Sequence, residues 1–166
     1  YYQDQALVSV APFGTQGPRL VSNTMANTDR LEITVCGREE QTLLTARFDN
    51  LGKGVAAAAI QKGVTALLPI GATEVHGNHL PLGTDSYLAQ GVAEKVAQKL
   101  GAEQVLVLPC VPYGQVWSLR AAPGTVDIPD AVLVPYLTHI ALSMYRAGVR
   151  RFAFINAHVG NCPAVK

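Results

Sequence analysis

The sequence predicts an α/β fold with a largely parallel sheet over residues 49–166, preceded by a short β-rich segment over residues 1–48. Three apolar segments of strand length, at 64–70, 105–111 and 151–155, alternate with longer stretches of helical periodicity. Strands separated by helices form βαβ units, in which the strands run parallel and the crossovers are right-handed. The loops that follow the three strands are therefore expected to meet along one edge of the sheet.

The first two helices and the strand between them have clear local signals. An Ala-rich stretch at 55–62 favours a helix that Gly63 is suited to end. The near-continuous apolar run at 64–70 is typical of a strand covered on both faces. In the next helix, apolar residues recur every four positions over 88–100. Three side chains that favour helix N-caps precede it: Thr84, Asp85 and Ser86.

A third helix carries apolar side chains on one face from Leu133 to Tyr145 and is expected to end at Gly148. Pro135 lies within this pattern. Because proline lacks a backbone N–H and clashes with the preceding turn, it predicts a late start or a kink in this helix.

Residues 1–48 have a different sequence pattern from the rest of the chain. A short apolar run occupies 6–10, and residues 31–36 alternate apolar with polar as a half-buried strand does. With residues 42–48, the second segment fits a hairpin. We therefore expect a β-rich domain of unknown role at 1–48 and an α/β domain at 49–166.

Composition excludes several classes of function. The chain of 166 residues has a net charge of +1 and no basic cluster larger than Arg150–Arg151, which argues against a nucleic-acid surface. Its apolar runs fall short of the roughly 20 residues that a membrane helix needs. Three cysteines in unrelated contexts form neither a disulfide framework nor a zinc motif, so we expect a cytoplasmic protein in a reducing compartment.

The two ends of the sequence predict processing or truncation. The chain starts at Tyr1 without an initiator Met, which leaves a removed leader open. Its last residues, 161–166, read as the start of a helix that the sequence does not continue. We therefore expect a fragment, or one piece of a cleaved protein.

The most informative stretch follows the first predicted strand, where Glu74, His76, His79 and Asp85 lie within a dozen residues. Ligand sites of open α/β sheets lie where such loops leave the strands. The loop after the last strand brings His158 toward them. Carboxylate oxygens and imidazole nitrogens suit zinc, manganese or iron at a hydrolytic centre. A pair of divalent ions can share one carboxylate and act together on a carbonyl group.

These residues carry a resemblance to a known family. The segment at 70–85, Ile-Gly-Ala-Thr-Glu-Val-His-Gly-Asn-His-Leu-Pro-Leu-Gly-Thr-Asp, resembles the signature of the creatininase family. The similarity continues through Tyr113-Gly114 and Pro123-Gly-Thr125 to the Asn-Ala-His-Val-Gly-Asn motif at 156–161. It covers residues 50–166.

The resemblance implies a three-layer α/β/α fold and a metal-dependent amidohydrolase with two divalent ions per site. By position, it implies that Glu74, His76, Asp85 and His158 are metal ligands, with Asp85 bridging both ions. His79 is less clearly a ligand and is the candidate for a catalytic or supporting role. The implied reaction is hydrolysis of a non-peptide or cyclic amide C–N bond in a small molecule by a metal-bound hydroxide.

Several departures from the family pattern support an alternative, a non-catalytic or incomplete subunit that serves binding or structure. Ala157 and Val159 replace two glycines beside His158, and Ser118-Leu119 stands where Glu-His is common. The family also has a C-terminal His- and Glu-containing segment that this sequence does not include. The resemblance therefore implies a homo-oligomer, or a second chain that supplies the C-terminal part.

Overall fold

The computed structural model describes residues 2–3, 6–7 and 46–166. Strands β1 (Tyr2–Gln3) and β2 (Ala6–Leu7) form an antiparallel pair. The predicted hairpin of residues 31–36 with 42–48 lies outside the described residues, except at its end. There, Arg47 forms a single parallel bridge with Val107, and Phe48–Asn50 form a 3-10 turn.

A three-stranded parallel sheet forms the centre of the α/β region. Its strands are β3 (Thr65–Ile70), β4 (Val105–Val107) and β5 (Arg151–Asn156), in the order β4-β3-β5. β3 is the central strand because it pairs in parallel with both neighbours, which confirms the predicted parallel sheet. Its last five residues are buried, as expected of a strand covered on both faces.

Helices cover both faces of this sheet. They are α1 (Lys53–Gln61), α2 (Thr84–Leu100) and α3 (Asp130–Arg146). On one face, Ala93 and Ala97 of α2 pack with Leu67 of β3. On the other face, the neighbouring strand residues pack with α3. The arrangement confirms the three-layer α/β/α fold, and the small alanines of α2 allow the helix to lie close to the sheet.

Two predicted element boundaries are wrong, and both errors involve proline. The strand predicted at 105–111 ends at Val107, because Pro109 has no N–H to donate to the ladder. Val111 still forms an isolated bridge with Ile70. Helix α3 begins at Asp130 rather than late, and Pro135 lies within it. Pro135 is the sixth residue of the helix, where it removes the hydrogen bond to the carbonyl of Ala131.

The start of α2 also differs from the prediction in a way that matters for the site. Gly83 is the N-cap residue, so Thr84 and Asp85 belong to the first helical turn rather than to the cap. No side chain caps this end, and the carboxylate of Asp85 is directed elsewhere. Among the described residues, no helix has both the length and the apolar character required to cross a membrane.

Candidate metal centre

The loops after β3, β4 and β5 meet at the carboxyl edge of the sheet. The loop after β3 is closed by a hydrogen bond from the Glu74 N–H to the Leu82 carbonyl, 3.0 Å long. Gly77 turns the chain inside this loop with a φ of 69°, a conformation that glycine adopts without strain. The loop thus presents Glu74 and His76 toward the first turn of α2, where Asp85 lies.

Four of the five predicted site residues come together here. Nε2 of His76 lies 3.1 Å from Oδ1 of Asp85 and 3.9 Å from Oε1 of Glu74. Nδ1 of His158 lies 3.0 Å from Oδ2 of Asp85 and 3.1 Å from Oε1 of Glu74. Each imidazole therefore faces both carboxylates, and the two oxygens of Asp85 face different imidazoles.

Hydrogen bonds to backbone carbonyls fix the orientation of both imidazole rings. Nδ1 of His76 is 3.2 Å from the carbonyl oxygen of Glu74, and Nε2 of His158 is 2.8 Å from that of Gln115. A carbonyl oxygen can only accept, so each of these ring nitrogens carries the hydrogen. In the neutral rings, the remaining nitrogens direct their lone pairs at the two carboxylates. Metal-ligating histidines commonly have this arrangement, with the second ring N–H held by a carbonyl.

The cluster is buried and lacks part of the hydrogen bonding that buried carboxylates need. Glu74, Asp85 and His158 are 8%, 7% and 8% exposed. Oδ2 of Asp85 is buried without a hydrogen-bond partner, although Nδ1 of His158 is close to it. Lone pairs facing a carboxylate repel it, and an uncompensated buried charge is costly. A cation among these atoms would remove both penalties, so the donor set fits a divalent metal.

The same environment alters the protonation of His76. Partial burial lowers the pKa of its imidazole, but the hydrogen bond to the Glu74 carbonyl and the charges of Asp85 and Glu74 outweigh burial. The pKa of His76 is therefore raised above its ordinary value of 6.5. A proton competes with a metal ion for the nitrogen that faces Asp85, because both need the same lone pair.

His79, the predicted catalytic residue, does not join the cluster. Its side chain is exposed, and its imidazole lies beside Gly77, where an added Cβ would come 3.0 Å from Nδ1. Glu74, His76 and Asp85 form a group whose potential ligand atoms lie within 4.8 Å of one another. His158 extends this group from the loop after β5.

The valine that follows His158 is accommodated by the local backbone. Val159 begins the 3-10 turn Val159–Asn161 and is 82% exposed, so its branched side chain meets little resistance. Gly160 has no such freedom, because an added Cβ would collide with the Gln115 carbonyl and the His158 ring. The loop therefore tolerates valine at position 159 but requires glycine at position 160.

Two contributors were missed by sequence reasoning. Gln115 contributes its main-chain carbonyl to His158, and a backbone atom leaves no signal in the residue type. Asn161 is completely buried and bonds to the loops after β3 and β4. Its place at the end of the Asn-Ala-His-Val-Gly-Asn motif was the one signal that could have found it.

Comparisons with known proteins identify the family and the fold. The sequence model of the family described as creatininase, creatinine amidohydrolase, matches residues 52–166. A mycofactocin precursor peptide peptidase of Mycolicibacterium smegmatis is 39% identical over 102 residues, which are 60% of this chain and 41% of that protein. The creatinine amidohydrolase of Pseudomonas putida is 33% identical over 100 residues, 57% of this chain and 37% of that protein.

A solved structure described as "Creatininase Mn" has the same fold, with a TM-score of 0.68 at 26% identity, and the match covers 72% of this chain and 48% of that one. The matched regions thus span half or less of the relatives' length. The family match nevertheless covers more than half of this chain, including every candidate ligand. The chain belongs to the creatininase family.

Proposed function

We propose that this chain is a metal-dependent amidohydrolase whose metal ligands are Glu74, His76, Asp85 and His158. The observation that carries the proposal is the convergence of two imidazole lone pairs on two buried carboxylates, with contacts of 3.0 to 3.1 Å on both histidines. Nitrogen and carboxylate donors of this kind suit zinc, manganese or iron. The manganese named for the related creatininase structure supports the same class of metal.

We propose two ions per site, because the two oxygens of Asp85 face different imidazoles. Oδ1 of Asp85 faces His76 and Oδ2 faces His158, so each oxygen can share an ion with a different imidazole. Carboxylates bridge two ions about 3.5–4 Å apart in dinuclear hydrolases. When bound, the metal would supply Lewis acidity that activates water and polarises the scissile carbonyl.

The protein's own contribution is to hold these donors in place. Asp85 lies in the first turn of α2, where the helix dipole favours a negative charge. The Glu74 and Gln115 carbonyls hold the imidazoles, so that the rings are orientated before a metal binds. His79 is exposed on the same loop and is our candidate for proton delivery to the leaving nitrogen.

The proposed substrate is a small molecule with a non-peptide or cyclic amide bond, as the name of the related creatinine amidohydrolase suggests. A peptide amide is the second candidate, favoured by the 39% identity to a mycofactocin precursor peptide peptidase. Ser118 and Leu119 lie in the loop after β4, which also provides Gln115, so this loop is where the two substrate classes would be distinguished.

The experiment compares hydrolysis of creatinine and of short peptides by the purified chain, supplemented with zinc or manganese and then stripped with a chelator. Hydrolysis that disappears with the metal and returns on its addition would support the enzyme. The alternative is a non-catalytic subunit, which would bind metal without turnover. A homo-oligomer, or a second chain that completes the site, is also part of the proposal, and sedimentation of the active form tests it.

A further inference from the structure

The side chain of Asn161 connects the loops after all three strands of the parallel sheet. Its Nδ2 donates to the Gly71 carbonyl after β3, at 2.9 Å, and to Oδ1 of Asn156 at the end of β5, at 3.2 Å. Its Oδ1 accepts a 2.9 Å hydrogen bond from the N–H of Gln115, in the loop after β4. The residue is 0% exposed, so these bonds form without competition from water.

Both residues that fix His158 are themselves held by Asn161. Gln115 accepts from Nε2 of His158 through its carbonyl, while its N–H is bound to Asn161. Asn156 holds the backbone of His158 at both ends, because its amide donates to the His158 carbonyl at 2.9 Å and accepts from the His158 N–H at 3.3 Å. One buried amide therefore supports the ring and the backbone of this histidine through separate neighbours.

The surroundings leave little room for this amide to move. A Cβ at Gly114 would collide with Oδ1 of Asn161 and would lie 2.8 Å from its Nδ2. An amide offers two donors and an acceptor in this volume, whereas a hydroxyl offers one donor, a carboxylate offers none and an alanine offers neither kind of group. The geometry therefore demands asparagine for a reason beyond packing.

We propose that Asn161 is a positioning residue of the metal centre, which acts through Gln115 and Asn156 to aim Nδ1 of His158 at Glu74 and Asp85. Only the expected loss of metal affinity rests on the proposed function. The positioning itself is a property of the metal-free chain. Loss of an outer contact of this kind typically weakens metal binding by about 10- to 100-fold.

The experiment compares Asn161→Asp and Asn161→Ala with wild type and with Leu133→Ala. Leu133 is a buried residue of α3 outside the candidate centre, and its truncation lowers the stability of the fold. Metal-free protein labelled with ¹⁵N-histidine is examined by long-range NMR below the melting temperature of every variant. Zinc affinity is then measured by competition with a chromophoric chelator.

The wild type and Leu133→Ala are expected to show a protected His158 Nε2–H, and both Asn161 variants are expected to lose it and to bind zinc about 10- to 100-fold more weakly. An unchanged His158 signal in the Asn161 variants would overturn the positioning role, whatever the zinc result. Where the wild type binds zinc, an equal zinc affinity in both Asn161 variants would also overturn it. If the wild type binds no zinc but the signals change as expected, the proposed function fails and the positioning role stands.

Discussion

Oδ2 of Asp85 lies 3.0 Å from Nδ1 of His158, although the rest of α2, together with β4, α3 and β5, separates the two residues in sequence. The contact forms because α2 starts, and β5 ends, at the same edge of the parallel sheet. It places the second oxygen of Asp85 against a second imidazole, which is the feature that a shared carboxylate requires.

Replacing His158 by alanine should cost more metal affinity than the roughly 10- to 100-fold typical of a lost supporting contact, because a direct ligand disappears. His139→Ala is the matched control, since His139 is exposed on α3 and takes no part in the cluster. Isothermal titration with zinc gives both affinities. Equal losses in the two variants would refute the assignment of His158.

Replacing His79 by alanine should leave metal content unchanged, because its ring is exposed and lies apart from the four clustered residues. If it delivers the proton to the leaving nitrogen, kcat should fall by about 100- to 10,000-fold. Steady-state kinetics and metal analysis of the same preparation test both parts. A kcat within twofold of wild type would remove His79 from the mechanism.

Gly160→Ala should impair the centre, because the added Cβ would collide with the Gln115 carbonyl and the His158 ring. Gly91→Ala in α2 is the control, since nothing lies within 4 Å of its added Cβ. Alanine in a helix interior is more favourable than glycine by about 1 kcal/mol, so this control should be stabilised. Urea unfolding and zinc titration of both variants test the pair, and wild-type zinc affinity in Gly160→Ala would contradict the geometry.

The raised pKa of His76 predicts how the stability of the metal-free chain depends on pH. The protonated ring is favoured in the folded state, so its stabilising effect is fully present below pH 6.5, the ordinary value, and is lost as pH rises through the raised pKa. His76→Gln should flatten this dependence. Urea unfolding of both proteins in chelator across this pH range provides the measurement, and parallel curves would contradict the prediction.

Much of the candidate centre could be predicted because its signals are local. Glu74, His76 and Asp85 lie in one short segment after a strongly apolar strand. The loops that follow parallel strands meet at one edge of the sheet, so His158 was expected at the same edge. The direction of each ring could not be predicted. It depends on main-chain carbonyls, such as that of Gln115, which every residue type carries.

The fold was predictable to a similar extent, and its errors have physical causes. Hydrophobic patterning identified the parallel strands and the helices between them, because burial on both faces leaves a clear signature. The three-layer arrangement was predicted from the family resemblance. Hydrophobic patterning does not show that a backbone N–H is missing. The apolar run at 105–111 therefore predicted a longer strand than the one that ends before Pro109. Hydrophobic patterning also does not show which potential N-cap residue is used. Asp85 lies in the first turn of the helix instead of capping it.

Metal analysis of the purified chain, after zinc or manganese loading and desalting, measures whether Asp85 and its neighbours hold divalent metal. Asp85→Asn is compared with Asp130→Asn, since Asp130 also lies in the first turn of its helix and also has a buried oxygen without a partner. We predict about two equivalents in wild type and in Asp130→Asn, and a loss of both in Asp85→Asn. Less than about half an equivalent in wild type, or equal metal content in all three proteins, would contradict the account.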